Sequence, residues 1–149
     1  MSYASKADLI DRYGQRELVQ TTDKAAPPTG TINDTTVTRA LTAADAEIDS
    51  RLGLLYAVPI SGTVPQRVID CACKIARFYL HEDRVSDLIR EAYKDELKWL
   101  DDVARGRATV PGLSPSSGSV DSAEGDSEGG FAVRAPVEVF TGALLELMP

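Results

Sequence analysis

The sequence predicts an all-α fold, a small helical bundle of three long helices plus short N-terminal helices, with a flexible linker and an extended C-terminal tail. Three long segments carry apolar residues at steps of three and four, the spacing of one helix face. Loops with proline or glycine separate these segments. Residues 114–130, "SPSSGSVDSAEGDSEGG", are almost all Ser, Gly, Pro or acidic and cannot bury enough surface to fold. We therefore expect a helical body over 1–113, a linker over 114–130 and an apolar tail over 131–149.

Two short helices are expected at the beginning of the body. Ser5 can cap the first, with Asp8 in the place of the usual Glu of a capping box. Gly14 is suited to end it. The segment "QRELVQ" over 15–20 predicts a further short helical turn. Residues 22–32 contain two prolines and a glycine, which predicts a loop.

The first long helix is expected to be capped by Asn33 or Asp34. It should end near residues 56–58, because Pro59 disfavours a helical residue before it. Its apolar residues follow steps of four and three: Val37, Leu41, Ala44, Ile48, Leu52 and Leu55.

The second long helix is predicted over about 65–82, with Pro65 as its first residue. Its wide apolar face of mostly small residues predicts the most buried helix, and this face comprises Val68, Ile69, Ala72, Ile75, Ala76, Tyr79 and Leu80. The third long helix is expected between a cap at Ser86 and a stop at Gly106. Its stripe comprises Ile89, Tyr93, Leu97, Leu100 and Ala104. Residues 108–113 are interpreted as a short extended piece.

The charge is unevenly distributed. The linker contributes −4 through Asp121, Glu124, Asp126 and Glu128 and contains no Lys or Arg. Subtracting this and −1 for the tail from the net charge of −7 leaves −2 for the body. This acidity argues against sequence-independent nucleic-acid binding, which needs a basic footprint. No run approaches the roughly 18 apolar residues of a membrane span, and no apolar signal region begins the chain. We expect a protein made and kept in the cytoplasm, with no membrane contact.

The residue types that commonly carry catalysis or bind metals do not form a recognisable reactive site in this sequence. His81 is the only histidine, and we interpret it as a surface residue at a helix end. The acidic pairs at 82–83 and 101–102 are expected on solvated helix faces. Cys71 and Cys73 point about 200° apart on a helix, so they should be buried thiols without a metal or disulfide. We predict no catalytic, cofactor-binding or metal-binding residue, and therefore no enzyme.

The aromatic residues divide into two groups. Tyr79 and Tyr93 lie on the apolar stripes and should pack in the core. Trp99 lies just off the stripe, which leaves a subunit contact and a core-edge position both open.

The tail is too apolar for water and too short to fold alone. Its nine large apolar residues could contribute roughly 2 kcal/mol each, about 18 in total, whereas ordering its backbone costs at least about 19 kcal/mol. We therefore predict that it docks on its own body or on another subunit or protein. The predicted docking residues are eight of these nine, Met148 being the ninth: Phe131, Val133, Val137, Val139, Phe140, Leu144, Leu145 and Leu147.

Several segments resemble a known family. "YASKADLIDRYGQRELVQTTD" (3–23), "ALTAADAEIDSRLGLLYAVPI" (40–60) and residues 73–110 are similar to the head-tail connector (adaptor) family of Mu-like phages and prophages. The terminal "VFTGALLEL" resembles a divergent form of that family's tail, without the basic residues that usually follow the Val-Phe step.

The resemblance implies a structural protein of the virion neck, made in the host bacterial cytoplasm. It would form a twelve-fold homo-oligomeric ring beneath the portal protein and contact a downstream tail-completion or stopper protein. Genomic DNA would pass through the ring without sequence-specific binding. The alternative is a small non-enzymatic interaction or regulatory module that binds a partner protein through its C-terminal tail.

Overall fold

The computed structural model describes residues 1–82, 84–113 and 115–116, and these contain five α-helices and no strand. The helices are α1 (Lys6–Tyr13), α2 (Gln15–Thr22), α3 (Asp34–Leu52), α4 (Gln66–Leu80) and α5 (Asp87–Ala104). The prediction of an all-α fold is confirmed. The predicted tail lies outside the described residues, as does the predicted linker apart from residues 115 and 116.

The two N-terminal helices follow from local sequence signals. The backbone N–H of Asp8 donates to the Ser5 hydroxyl, and the Asp8 carboxylate accepts from the Ser5 N–H at 2.7 Å. This is the predicted capping box. Gly14, at φ 83° and ψ 150°, both ends α1 and precedes α2. Because side chains are rarely tolerated in that conformation, a glycine is needed at this turn.

Helix α3 begins as predicted but ends earlier than residues 56–58. The Asn33 side chain caps it by accepting from the backbone N–H of Thr36, and its last residue is Leu52. The following turn buries Tyr56, whose hydroxyl accepts from the N–H of Val110 at 3.3 Å. Gly53 is the C-cap of α3, so Leu55 follows the helix and does not lie on its stripe.

Helix α4 occupies the centre of the bundle and packs against α1, α3 and α5. Seven of its 15 residues are buried, compared with six of 19 in α3, which confirms it as the most buried helix among those described. Pro65 was predicted to be the first residue of α4, but it is the N-cap, and the helix begins at Gln66. His81 follows the helix as its C-cap. The helix is therefore slightly shorter than the predicted 65–82.

Helix α5 confirms the Ser86 cap, because the Ser86 hydroxyl accepts from the N–H of Ile89. Its last helical residue is Ala104, and Gly106 follows at φ 71°. The predicted stripe is partly wrong. The buried residues are Ile89, Glu96, Leu100 and Val103, while the predicted Tyr93, Leu97 and Ala104 are only partly buried. The buried face is rotated because α5 packs against α3 and α4 together.

The segment 108–113 forms no strand within the described part of the chain. Val110 is nevertheless buried. Just after this segment, Pro115 forms an isolated antiparallel bridge with Tyr56. This segment therefore closes one side of the core instead of extending a sheet.

Candidate functional site

The side of α4 that faces α5 carries a cluster of charged and aromatic residues, which we call the Glu96 cluster (Arg67, Cys71, Lys74, Glu96 and Trp99). Arg67 and Lys74 lie seven residues apart, about two turns, and so share one face of α4. Glu96 is only 2% exposed. One of its oxygens accepts from Arg67 Nη1 at 2.5 Å and the other from Lys74 Nζ at 2.6 Å. The Arg67 guanidinium carbon lies 3.9 Å from the centroid of the Trp99 ring, a cation–π contact.

The electrostatics of this cluster favour the ionised carboxylate. Burial alone would raise the pKa of Glu96, but the hydrogen bonds from Lys74 and Arg67 outweigh burial and lower that pKa below its ordinary value. In contrast, burial raises the pKa of the neighbouring Cys71 thiol, and the Glu96 charge adds to this effect. The carboxylate is therefore a fixed anchor for two cations, and the thiol is held in its protonated form.

Glu96 was not among the site residues predicted from the sequence. The signal was present, because Glu96 lies between Tyr93 and Leu100 on the buried side of the predicted helix. Arg67 and Lys74, seven residues apart on α4, are the cations that could pair with such a buried carboxylate. Neither pattern indicates a partner until the two helices are known to be adjacent.

Further along α4, a second cluster meets α1 and α2 and is formed by Tyr13, Glu17, Arg77 and His81. Arg77 binds Glu17 through two parallel hydrogen bonds of 2.6 and 3.0 Å, a bidentate geometry. His81 Nε2 lies 3.2 Å from Glu17 Oε1, and the Arg77 guanidinium carbon lies 4.3 Å from the Tyr13 ring centroid. Burial would raise the pKa of Glu17, but the hydrogen bonds from Arg77 and His81 outweigh it and lower that pKa.

An open cleft of about 520 Å³ borders this second cluster and is lined in part by Glu17, Thr21 and His81. The helix-end position of His81 is confirmed, but its side chain is only 19% exposed and more enclosed than predicted. Because Arg77 binds both oxygens of Glu17, the arrangement fastens α2 to α4.

The predicted acidic pair at 101–102 is partnered as well as solvated. Asp101 accepts from Arg51 Nε at 3.0 Å, which joins α5 to α3, and Asp102 pairs with Arg107 at 2.8 Å. In the other pair, Asp83 lies outside the described residues. These contacts give the carboxylates a role in holding helices and turns together.

The remaining predictions about individual residues are largely confirmed. Cys71 and Cys73 are free and fully buried, and burial raises the pKa of Cys73 to about 11. Tyr79 and Tyr93 pack against the core as partly buried residues. Trp99 also packs at the core edge, while the subunit contact suggested for it stays a prediction. All eight predicted docking residues of the tail lie outside the described residues.

Within residues 1–82, 84–113 and 115–116, no group of three His, Cys, Asp or Glu side chains is placed to hold a metal ion. No helix in this described part is long and apolar enough to cross a membrane. The fold and its clusters define a small all-α protein in which ion pairs fasten a central helix to its neighbours.

Comparison with known proteins gives the family. The chain matches the family described as Bacteriophage Mu, Gp36, over residues 3–127. It is 35% identical over 123 residues to the Mu-like prophage FluMu protein gp36 of Haemophilus influenzae, covering 83% of this chain and 84% of the relative. It is 34% identical over 114 residues to Gene product J of Escherichia phage Mu, covering 76% and 78%. The chain belongs to this family of Mu-like phage proteins, which confirms the phage family predicted from the sequence.

Proposed function

We propose that the protein is a structural head-tail connector (adaptor) of a tailed phage or prophage. It forms a homo-oligomeric ring beneath the portal protein, twelve-fold like the portal, and joins the DNA-filled head to the tail in the virion neck. A downstream tail-completion or stopper protein binds its other side. The observation that carries the proposal is membership of the Mu Gp36 family over most of the chain, together with the likeness to connectors over residues 3–23, 40–60 and 73–110.

The charges of the chain support a role as a conduit. A net charge of −7 repels the phosphate backbone, so passing DNA has little tendency to bind the protein. Several of the described cations pair with carboxylates of the same copy, as Arg77 does with Glu17 and Arg67 does with Glu96. A ring of such subunits would let the genome pass without sequence-specific contacts.

The two clusters along α4 support a body that acts as a rigid part. Arg67 and Lys74 fasten α4 to α5, while Arg77 fastens it to α2. Assembly of such a body needs contacts outside its core, and the apolar tail of residues 131–149 is suited to supply them. The function is therefore adhesive, with no catalytic step.

The proposal is tested by mixing the full chain with the portal protein of the same phage and imaging the particles by electron microscopy. We expect a ring on the tail-facing side of the portal. Val139→Asp should weaken this association, because a charge in the tail opposes its burial. The matched control is Val120→Asp in the linker, which should bind like the unchanged chain.

Two outcomes would refute the proposal. The first is that the chain does not bind the portal while its helical circular dichroism is intact. The second is that the protein stays monomeric beside a portal and instead binds another protein through its tail. The second result would favour the alternative of a small interaction or regulatory module.

A further inference from the structure

One face of α5 combines exposed apolar surface with nearby positive charge. Leu88, Ala92 and Trp99 recur at steps of four and seven, so they lie in one row along the helix. We call this row the α5 outer row. Leu88 is 73% exposed and Trp99 is partly buried. At about 1.5 Å per residue the two lie about 16 Å apart, a length that a short docked segment can cover.

The row adjoins the Glu96 cluster, which contributes the charge. Arg67 and Lys74 supply two positive charges against the single negative charge of Glu96, and their side chains are 36% and 42% exposed. Each uses one N–H group on Glu96, so further donors remain available for a carboxylate from outside. Asp95 borders the row on the side away from α4, and the surplus positive charge therefore lies along the α4 edge.

We propose that the α5 outer row and the adjoining cations bind the acidic linker and apolar tail, residues 117–149, of another copy of the chain. This inference rests on the proposed function and names the surface through which neighbouring subunits join. Leu88 and Trp99 receive large apolar side chains of the tail. Arg67 and Lys74 receive carboxylates of the linker, which has four acidic residues and no basic one.

The position of residues 112–116 favours another copy over the same one. A Cβ at Gly112 would lie 3.8 Å from the side chain of Pro65, which is two residues before Arg67. A few residues would therefore suffice to reach the Trp99 end of this surface within one copy. The linker has 17 residues, and as a flexible chain it would span about 23 Å. That span is about two thirds of the width, about 34 Å, of a body whose radius of gyration is about 13 Å, so the tail that follows the linker can extend beyond its own copy.

The test compares two exposed leucines in the full-length chain. Leu88→Glu places a charge on the α5 outer row, and Leu54→Glu places the same charge on a side chain that is 67% exposed in the turn after α3. Sedimentation velocity measures self-association, and the fluorescence of Trp99, the only tryptophan, reports on the row. Circular dichroism should show that both variants fold, since both positions are exposed.

We expect the unchanged chain and Leu54→Glu to associate as concentration rises, with Trp99 emission moving to shorter wavelength. Leu88→Glu should associate at least tenfold more weakly, without the emission shift. Association by Leu88→Glu equal to that of Leu54→Glu would overturn the proposal. So would an unchanged chain that stays monomeric at the highest concentration reached.

A mixing experiment distinguishes docking between copies from docking within one copy. Leu88→Glu has an intact tail and a damaged surface, whereas Val139→Asp has an intact surface and a damaged tail. Each alone should associate weakly, and an equal mixture should form a one-to-one complex if the tail crosses between copies. Failure of the mixture to associate would overturn the inference.

Portal binding by the same variants keeps this inference separate from the proposed function. If Leu88→Glu associates normally and binds the portal, the surface is wrong and the connector role stands. If association depends on Leu88 but no form of the chain binds the portal, the surface is right and the connector role is wrong.

Discussion

Replacing Glu96 by glutamine tests whether the buried carboxylate holds α4 and α5 together. Two hydrogen bonds to charged groups contribute about 1.5–3 kcal/mol each. Water compensates for part of this loss, because Arg67 and Lys74 are both more than a third exposed. Glutamine also keeps one acceptor oxygen and avoids the burial of a charge. We therefore expect Glu96→Gln to lower the free energy of unfolding by about 2 kcal/mol, or the melting midpoint by about 6 °C.

The assay is urea unfolding at pH 7, followed by Trp99 fluorescence and by circular dichroism at 222 nm. Two probes are needed because the substitution lies next to the tryptophan, and coincident transitions would show a single cooperative event. The matched control is Glu91→Gln, an exposed carboxylate on the same helix, which should change stability by no more than about 0.5 kcal/mol. The reasoning is refuted if Glu96→Gln is no more destabilising than this control.

The stability difference between the unchanged chain and Glu96→Gln should depend on pH in a defined way. The pKa of Glu96 lies below its ordinary value of 4.5 in the folded protein, so the folded state binds this proton less readily than the unfolded state. The stabilisation by the carboxylate is complete above pH 4.5 and is lost as the pH falls through the folded-state pKa. The difference in stability between the unchanged chain and Glu96→Gln should thus be constant from pH 7 to about 5 and shrink on further acidification. A difference that grows in acid would contradict this assignment.

Two further predictions concern the turn between α1 and α2 and the buried thiols. Gly14→Ala should destabilise the protein by about 1–3 kcal/mol in urea unfolding, because φ is 83° and only the backbone opposes the added methyl group. An effect no larger than that of Gln15→Ala would contradict this reasoning. Cys71 and Cys73 should react with a thiol reagent at pH 8 only after unfolding, since both are buried and have raised pKa values. Rapid labelling of either thiol in native buffer would show that it is accessible.

The sequence was most informative where structure depends on nearby residues. A cap depends on residues three apart, so Ser5 with Asp8 and Ser86 with Ile89 were recognisable without a fold. The end of α3 was predicted too late because Pro59 was taken as the stop, whereas Gly53 is the C-cap, and the turn after it is held by Tyr56 meeting Val110 across the chain. No local pattern contains that contact.

The α5 outer row could likewise be predicted only in the part that depends on nearby residues. The row of Leu88 and Trp99 follows from helix periodicity alone. Its positive border does not, because it depends on two cations of α4 meeting one buried carboxylate of α5. Glu96 was not predicted to be buried, because charged residues are rarely fully buried unless they are paired. Its partners can be identified only once the packing of the helices is known.

The two charge distributions of the chain assign different tasks to its parts. In the described body, carboxylates meet cations of the same copy, as in the pairs of Glu17 with Arg77 and Asp101 with Arg51. The linker has four acidic residues and no cation of its own, so any compensation must come from another surface. Partly buried pairs are screened weakly by salt and exposed contacts strongly. The proposed docking of the linker on Arg67 and Lys74 therefore predicts that rising ionic strength weakens association between copies before it destabilises the helical body.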